Sequence, residues 1–319
     1  MSEQDLAGLT ANDLRVHVSK PVQWFDRDER IVPQGTTLLT GRPKSGKSLL
    51  CEQVAVEMAE RRSVAYFAFE YGKNLMMDRF KRHLEQNTEY TGLRLFSRDD
   101  VPAKERPLNF VQRILGNAKS GGLGYEVAFI DVLNKVKSRT DGSYDREYDA
   151  VAPITELAPN LVNALVVVHH TRKRDPKGPA VVLGSVDEAL GSTALAGAFD
   201  TVVGLTRKER LLTLSHESRL FESRRWGLTF VEGRLVPITS SEMTAIQLEH
   251  SAPLQSRIIH VLTEKPTSQA ELAAQLGVTM VSVNKAVTSL HDKGVITAPR
   301  RGKQLKLLED WRQMSRCQR

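Results

Sequence analysis

Apolar positions along the chain change period several times, and each change marks an element. Thr36-Thr37-Leu38-Leu39-Thr40 is a β-rich run, and from Leu49 to Arg61 the residues Leu50, Val54 and Met58 recur at helical spacing. Ser63-Val64-Ala65-Tyr66-Phe67-Ala68-Phe69-Glu70 reads as a buried strand closing on an acid. Two further buried runs, Tyr125 to Asp131 and Asn163 to His170, end in an aspartate and in a pair of histidines. Continuous apolar runs of this length belong to strands covered on both faces, so the body is expected to be α/β with a mostly parallel sheet and helices on both sides. After a strand at Thr201 to Leu205, short strands at Leu211 to Ser215, Arg225 to Phe230 and Arg234 to Ile238 predict antiparallel hairpins at one edge.

The pattern shortens near residue 250. Leu254, Ile258, Val261 and Leu262 mark a first short helix, and Ser268-Gln269-Ala270-Glu271 is a capping box that opens a second, running through Leu272 and Leu276 to Gly277. Thr279 can cap a third helix ending at Gly294, with Val283, Val287 and Leu290 inward and Val281, Asn284, Lys285 and Thr288 outward. Val295-Ile296-Thr297 and Gln304-Leu305-Lys306-Leu307 flank the basic tip Pro299-Arg300-Arg301-Gly302-Lys303 and predict a hairpin. Three helices and a basic wing resemble a winged helix-turn-helix domain. The expected organisation is an N-terminal arm over 1–23, an α/β domain over 24–245, the small helical domain over 251–310 and a basic tail over 311–319.

Charge sharpens that division. The 319 residues carry a net charge of +7, and the segment from Ser251 onward, with eleven basic residues against five acidic ones, holds +6 of it. A near-neutral body with a basic appendage reads as a polyanion-binding module joined to an engine. No apolar stretch approaches the roughly 20 residues of a membrane span. The start Met1-Ser2-Glu3-Gln4-Asp5 lacks the basic beginning and apolar middle of a signal peptide, so a cytoplasmic protein with no membrane contact is expected. Cys51 and Cys317 have neither disulfide-framework nor zinc-site spacing, and Cys51 is expected to pack in the first helix.

The turn between the first strand and the first helix carries chemistry. Gly41-Arg42-Pro43-Lys44-Ser45-Gly46-Lys47-Ser48 is a complete GxxxxGK[ST] phosphate-binding loop in the strand, loop, helix setting that the motif requires. Gly41 and Gly46 let successive N–H groups, through Lys44 and Ser45, curl around a polyphosphate. The helix N-terminus adds its positive end, Lys47 can reach the β- and γ-phosphates, and the Ser48 hydroxyl can ligate Mg²⁺. ATP or GTP binding follows.

Ligands of open α/β sheets sit at the carboxyl ends of strands. There, Glu70 is placed to orient and deprotonate a water, Asp131 to hold the Mg²⁺ shell, and the histidine pair to bridge the γ-phosphate to the segment that follows. That segment, Arg172 to Glu188, is rich in proline and glycine, carries Arg172, Lys173, Arg174 and Lys177, and reads as a surface loop.

Taken in order, Gly41 to Ser48, Phe67-Ala68-Phe69-Glu70, Phe129-Ile130-Asp131, Val168-His169-His170-Thr171-Arg172-Lys173 and Gly191-Ser192-Thr193-Ala194-Leu195-Ala196-Gly197-Ala198-Phe199-Asp200 resemble the RecA-type P-loop ATPases. The likeness is strongest to the plasmid and phage branch of hexameric, RepA-like replicative helicases, and it covers about residues 24 to 238. It implies a RecA-like core in which Lys47 and Ser48 bind ATP and Mg²⁺, Glu70 is the catalytic base, Asp131 holds the metal through water and His170 senses the γ-phosphate. The loops after Asp131 (Lys135, Lys137, Arg139) and after His170 would line a ring channel for single-stranded DNA. A neighbouring subunit would supply an arginine, for which Arg219 matches best and Arg224 or Arg225 are alternatives. Leu190 departs from the pattern, since several relatives have a basic residue there, and residues 1–23 are too few for anything but an arm.

The winged domain implies duplex DNA as a further partner, with Lys285 on a groove-facing helix and Arg300, Arg301 and Lys303 on phosphate. The competing reading is a protein-docking wing, against which the basic charge of this segment argues. The function expected is a ring-forming, DNA-dependent ATPase and replicative helicase of a mobile element. The alternative is a non-unwinding regulatory or recombination accessory ATPase; a small-molecule kinase leaves the basic module without a role.

Overall fold

A computed structural model of the chain describes residues 20–85, 88–138, 144–171, 193–208, 210–240, 242–243, 253–299 and 303–308. The central element is the strand β1, Gly35–Gly41, followed by helix α1, Lys47–Met58. Next come β2 (Val64–Ala68), α2 (Lys73–Lys81), β3 (Leu93–Ser97), α3 (Pro107–Ser120) and β4 (Val127–Asp131). The short helices α4 (Leu133–Val136), α5 (Tyr144–Thr155) and α6 (Leu157–Leu161) lead to β5 (Ala164–His170), and α7 (Thr193–Ala198) leads to β6 (Thr201–Lys208). Then follow β7 (Leu211–Ser218), β8 (Arg224–Val231), β9 (Arg234–Ile238) and the helices α8 (Leu254–Glu264), α9 (Gln269–Leu276) and α10 (Met280–Asp292). The strands are ordered β3-β2-β4-β5-β1-β6-β7-β8-β9.

The pairings β2 with β3 and β4, β5 with β4 and β1, and β1 with β6 are all parallel. β2 and β4 are buried along their whole length, which explains why their sequences are unbroken apolar runs rather than alternating ones. Alternate residues nevertheless serve two separate layers. Leu38, Phe67, Ile130 and Val167 pack with Phe110, Leu115, Leu133, Val151 and Leu157 from α3 to α6. Tyr66 and Phe129 point the other way, where Tyr66 meets Phe80 of α2 edge to face at 4.9 Å. The strand β3 has no counterpart in the sequence reading, because it lies at the end of the sheet and is only partly covered, so its apolar residues make no continuous run. The other strands predicted in the sheet form, shifted by a few residues, whereas the hairpin predicted over 295–297 and 304–307 is present only as isolated bridges. Glu70 lies two residues past the end of β2 rather than within it.

The chain divides into two compact units, residues 1–205 with 215–224, and residues 206–214 with 225–319. The first holds the parallel strands and their helices. In the second, β8 and β9 form an antiparallel hairpin. The three helices α8, α9 and α10 enclose a core of their own, in which Ile258, Leu262, Leu272, Val283, Val287 and Leu290 meet Ile296, Leu305 and Leu307. The Ser268–Glu271 capping box forms in both directions, and the Thr279 hydroxyl accepts from the Ser282 N–H. Val281, Asn284, Lys285 and Thr288 are exposed on α10. Antiparallel bridges join Ile296 to Leu307 and Thr267 to Leu305. Among the described residues no helix is long and apolar enough to cross a membrane.

Candidate nucleotide-binding site

The loop between β1 and α1 is shaped by two glycines. A Cβ on Gly41 would lie 2.3 Å from the Leu205 carbonyl oxygen, so the strand end can approach β6 only without a side chain. Gly46 caps α1 with φ of 105°, a left-handed conformation that side chains disfavour. Within this loop Lys44 is exposed, while Ser45 is buried. The Lys47 ammonium turns back into the loop, donating to the carbonyls of Gly41 at 2.7 Å and Arg42 at 2.8 Å. Burial pulls the Lys47 pKa down to about 8, against the attraction of Asp131 and Glu70.

The strand register assembles the rest. Gly41 pairs with His170 and Thr40 with His169, so the histidine pair stands directly beside the loop. The strand β5 lies between β1 and β4, and Asp131 pairs with Val168 on one side and Ala68 on the other. The Phe69 N–H donates to the Asp131 carbonyl at 2.7 Å, which carries the chain past the strand end and sets Glu70 beside the site. There the Glu70 carboxylate meets His170 Nε2 at 3.0 Å. Residues 41, 47, 48, 70, 131 and 170, from four strands and one helix start, thus converge on one end of the sheet.

Asp131 is fully buried. Burial raises its pKa to about 6, opposed by hydrogen bonds from the Ser48 and Tyr66 hydroxyls. Tyr66 donates to Oδ2 at 3.1 Å, while Oδ1 has no hydrogen-bond partner among the described residues. An orphaned carboxylate oxygen beside a serine hydroxyl suits a cation that arrives with a phosphate and needs few protein ligands. No group of three His, Cys, Asp or Glu side chains is placed to hold a metal by itself among the described residues. His169 is held neutral, its pKa lowered to about 4 by burial and by the charges of Lys137, His170 and Lys47.

One stability consequence can be measured. A carboxyl whose folded pKa is about 6, against an unfolded value near 3.9, contributes its stability below the lower value and loses it as pH rises through the higher one. Asp131→Asn stays neutral throughout and keeps an acceptor for Tyr66. Thermal melts of the nucleotide-free protein should therefore show Asp131→Asn more stable than the wild type at pH 7.5, by up to about 3 kcal/mol, with the gap closing towards pH 4. A gap that widens on acidification would contradict the burial argument.

Other predicted positions lie elsewhere. Lys135 sits exposed on α4 rather than on a loop, and Lys137 follows that helix half-buried. Arg219 is exposed at the end of β7; its N–H donates to the Asp200 carbonyl and its guanidinium to the Gly197 carbonyl. Asp200 in turn accepts from the N–H and hydroxyl of Thr36, at the start of β1. Arg219 therefore stands at the opposite end of β1 from the phosphate loop, roughly 17 Å along the strand by the rise per residue. Arg224 is tied to Glu29 at 2.8 Å and lies over the Trp24 ring at 4.2 Å. Lys285 and Lys303 are exposed in the second unit. Arg139, Arg172, Lys173, Arg174, Lys177, Leu190, Arg300 and Arg301, with the arm over 1–19 and the tail over 311–319, lie outside the described residues.

Three side chains that support the site escaped the sequence reading. Tyr66 looks like any aromatic of a buried strand, yet its hydroxyl holds Asp131. Glu52 sits one turn after Ser48 on α1 with its side chain fully buried, and Tyr71, next to Glu70, donates to it at 2.7 Å. The available signal was an acid among the apolar positions of the first helix.

Fold and site together define a P-loop nucleotide-binding protein of the α/β class. The chain belongs to the AAA domain family, which it matches over residues 2–176. No curated protein sequence matches it. Among solved structures it is similar to one described as a DnaB-like replicative helicase and its interactions with primase, at 14% identity and a TM-score of 0.49, over 64% of this chain and 57% of that one. The chain thus spans less than two thirds of that structure's length.

Proposed function

We propose that the protein is a DNA-dependent ATPase, a ring-forming replicative helicase of a plasmid, phage or other mobile element that couples ATP hydrolysis to movement along single-stranded DNA. The observation that carries the reading is the Glu70–His170 hydrogen bond at 3.0 Å, formed beside the phosphate loop and two residues before a strongly basic stretch of sequence. A hydrolytic base and a group at the nucleotide edge of the sheet are in direct contact. The latter's strand runs straight into Arg172, Lys173, Arg174 and Lys177. DNA held by that stretch can thereby bias the base.

The residues divide the work as follows. The loop N–H groups from Gly41 to Ser48 cradle the polyphosphate, and Lys47 exchanges its loop carbonyls for phosphate oxygens. Ser48 and Asp131 would hold Mg²⁺, which when bound neutralises phosphate charge and polarises the terminal phosphoryl group. His170 donates to Glu70 Oε1 and orients the carboxylate, so that Oε2 can take a proton from the attacking water. Arg219 serves a neighbouring subunit, as its distance from the loop of its own chain suggests. Lys135 with the basic stretch after His170 contacts single-stranded DNA. The three helices of the second unit act as a winged helix-turn-helix on duplex DNA, with Lys285 on base edges and Arg300, Arg301 and Lys303 on phosphates; the +6 charge of this region and the exposed stripe of α10 support that assignment.

Two assays on the full chain test the reading. Single-stranded DNA should stimulate ATP turnover, and a forked duplex should be unwound only with ATP and Mg²⁺; duplex binding should weaken steeply as salt rises. DNA-stimulated turnover without strand displacement would favour the regulatory or recombination accessory ATPase instead. Turnover indifferent to any DNA would remove both readings.

A further inference from the structure

A buried polar cluster beneath the nucleotide site connects the helix that carries Lys47 and Ser48 to the residue that follows Glu70. Glu52 lies on α1, one turn after Ser48, and its side chain is fully buried. Its Oε1 accepts two hydrogen bonds, from the Tyr71 hydroxyl at 2.7 Å and from Arg79 Nε at 2.6 Å. The Arg79 guanidinium also covers the Tyr71 ring, 5.0 Å from its centroid. His83 faces Oε2 from 3.7 Å, too far for a hydrogen bond. Burial works to raise the Glu52 carboxyl, but His83, Arg79 and Tyr71 together hold it below its ordinary range, so it stays an anion at neutral pH.

A buried carboxylate is a costly way to fill the interior, and a well-packed apolar side chain often stabilises a fold as much or more. Its position suggests what it does instead. On one side of Glu70, the Phe69 N–H is bonded to the Asp131 carbonyl at 2.7 Å. On the other, Tyr71 is bonded through its hydroxyl to α1. The Glu70 side chain itself is partly exposed and has His170 as its described hydrogen-bond partner. The backbone of that turn is also held by the Arg98 N–H, which donates to the Tyr71 carbonyl at 3.4 Å. What the Tyr71 hydroxyl adds is the tie to α1, without which Glu70 could shift relative to the phosphate loop. General-base catalysis depends steeply on such placement, since misplacement of about 1 Å can cost on the order of 10²-fold.

We propose that Glu52 is a positioning residue, acting through Tyr71 and braced by Arg79, that fixes Glu70 at a set distance from the phosphate-loop helix. The inference rests on the reading of Glu70 as the base, and the test separates the two.

Tyr71→Phe in the full chain removes one hydroxyl and keeps the ring. With Mg²⁺ and single-stranded DNA, its kcat for ATP should fall about tenfold or more, while the Kd of a non-hydrolysable ATP analogue stays within about twofold. In a Glu70→Gln background the same change should cost nothing further, because a residue that acts only through Glu70 loses its effect when the base is absent. A merely structural role would lower both backgrounds alike. If Glu70→Gln lowers turnover by about 10²-fold or more and Tyr71→Phe keeps the wild-type kcat, the positioning role is overturned and the base assignment stands; if Glu70→Gln itself keeps its turnover, both are overturned. Should Tyr71→Phe melt below the assay temperature, Glu52→Gln replaces it, since the amide still offers an acceptor oxygen but no charge. Its expected result is a smaller fall in kcat at unchanged analogue affinity, and a wild-type kcat there overturns the inference.

Discussion

Lys47→Ala is expected to abolish ATP binding, whereas Glu70→Gln is expected to bind ATP with near wild-type affinity and to lose turnover by about 10²- to 10⁴-fold. The two side chains stand at the same end of the sheet but meet the ligand differently. Lys47 is buried against the carbonyls of Gly41 and Arg42, so its ammonium is in the floor of the phosphate cradle. Removing it takes away the charge that offsets the polyphosphate and leaves two loop carbonyls facing anionic oxygens. Glu70 touches His170 and no residue of the phosphate loop among the described hydrogen bonds, so its loss spares the cradle. Glutamine keeps the volume and an oxygen for His170 but cannot accept the proton of a water. Equilibrium binding of a fluorescent ATP analogue together with steady-state turnover distinguishes the two; equal loss of binding in both variants would remove Glu70 from the role of base.

Arg219→Ala should be the second variant of large effect. A transition-state arginine contributes about 10³- to 10⁵-fold to turnover in phosphoryl transfer, and its removal should leave ATP affinity nearly intact. The geometry makes a test of its trans character possible. Because Arg219 sits near Asp200 and the start of β1, it is at the far end of the sheet from its own Lys47. An inactive Arg219→Ala protein mixed with an inactive Glu70→Gln protein should therefore regain turnover. Some interfaces of a mixed assembly join an intact Glu70 to an intact Arg219. Absence of recovery, with mixed assemblies shown to form by mass measurement, would exclude a trans role for Arg219. Arg224 is engaged with Glu29 and Trp24 and would have to leave both to act in its place.

Much of the site was legible because its parts are local. The phosphate loop is a contiguous octapeptide whose glycines answer a backbone requirement, and the strands that end in Asp131 and His170 are apolar runs with one aspartate and a pair of histidines at their tips. The helices α8, α9 and α10 were equally legible, since caps at Ser268 and Thr279 and the spacing of Val283, Val287 and Leu290 are short-range signals. The edge strand β3 was not, because the exposed Arg94 interrupts its half-buried apolar residues.

The sequence by itself indicated candidate residues for chemistry and most of the elements that carry them, because period, capping and loop composition act over a few residues; it did not place Glu70 beyond its strand or Lys135 on a helix. Only the tertiary structure decided which of them meet. The insertion of β5 between β1 and β4 places His170 against Gly41, and the turn after β2 brings Glu70 within 3.0 Å of it, across a separation of 100 residues. It also decided that Tyr66 holds Asp131, that Glu52 and Tyr71 join α1 to the Glu70 turn, and that Arg219 lies away from its own phosphate loop. The physical reason is that strand order and register are settled by non-local packing across the whole sheet. A polar side chain buried by that packing must then find its partner wherever the packing has put one.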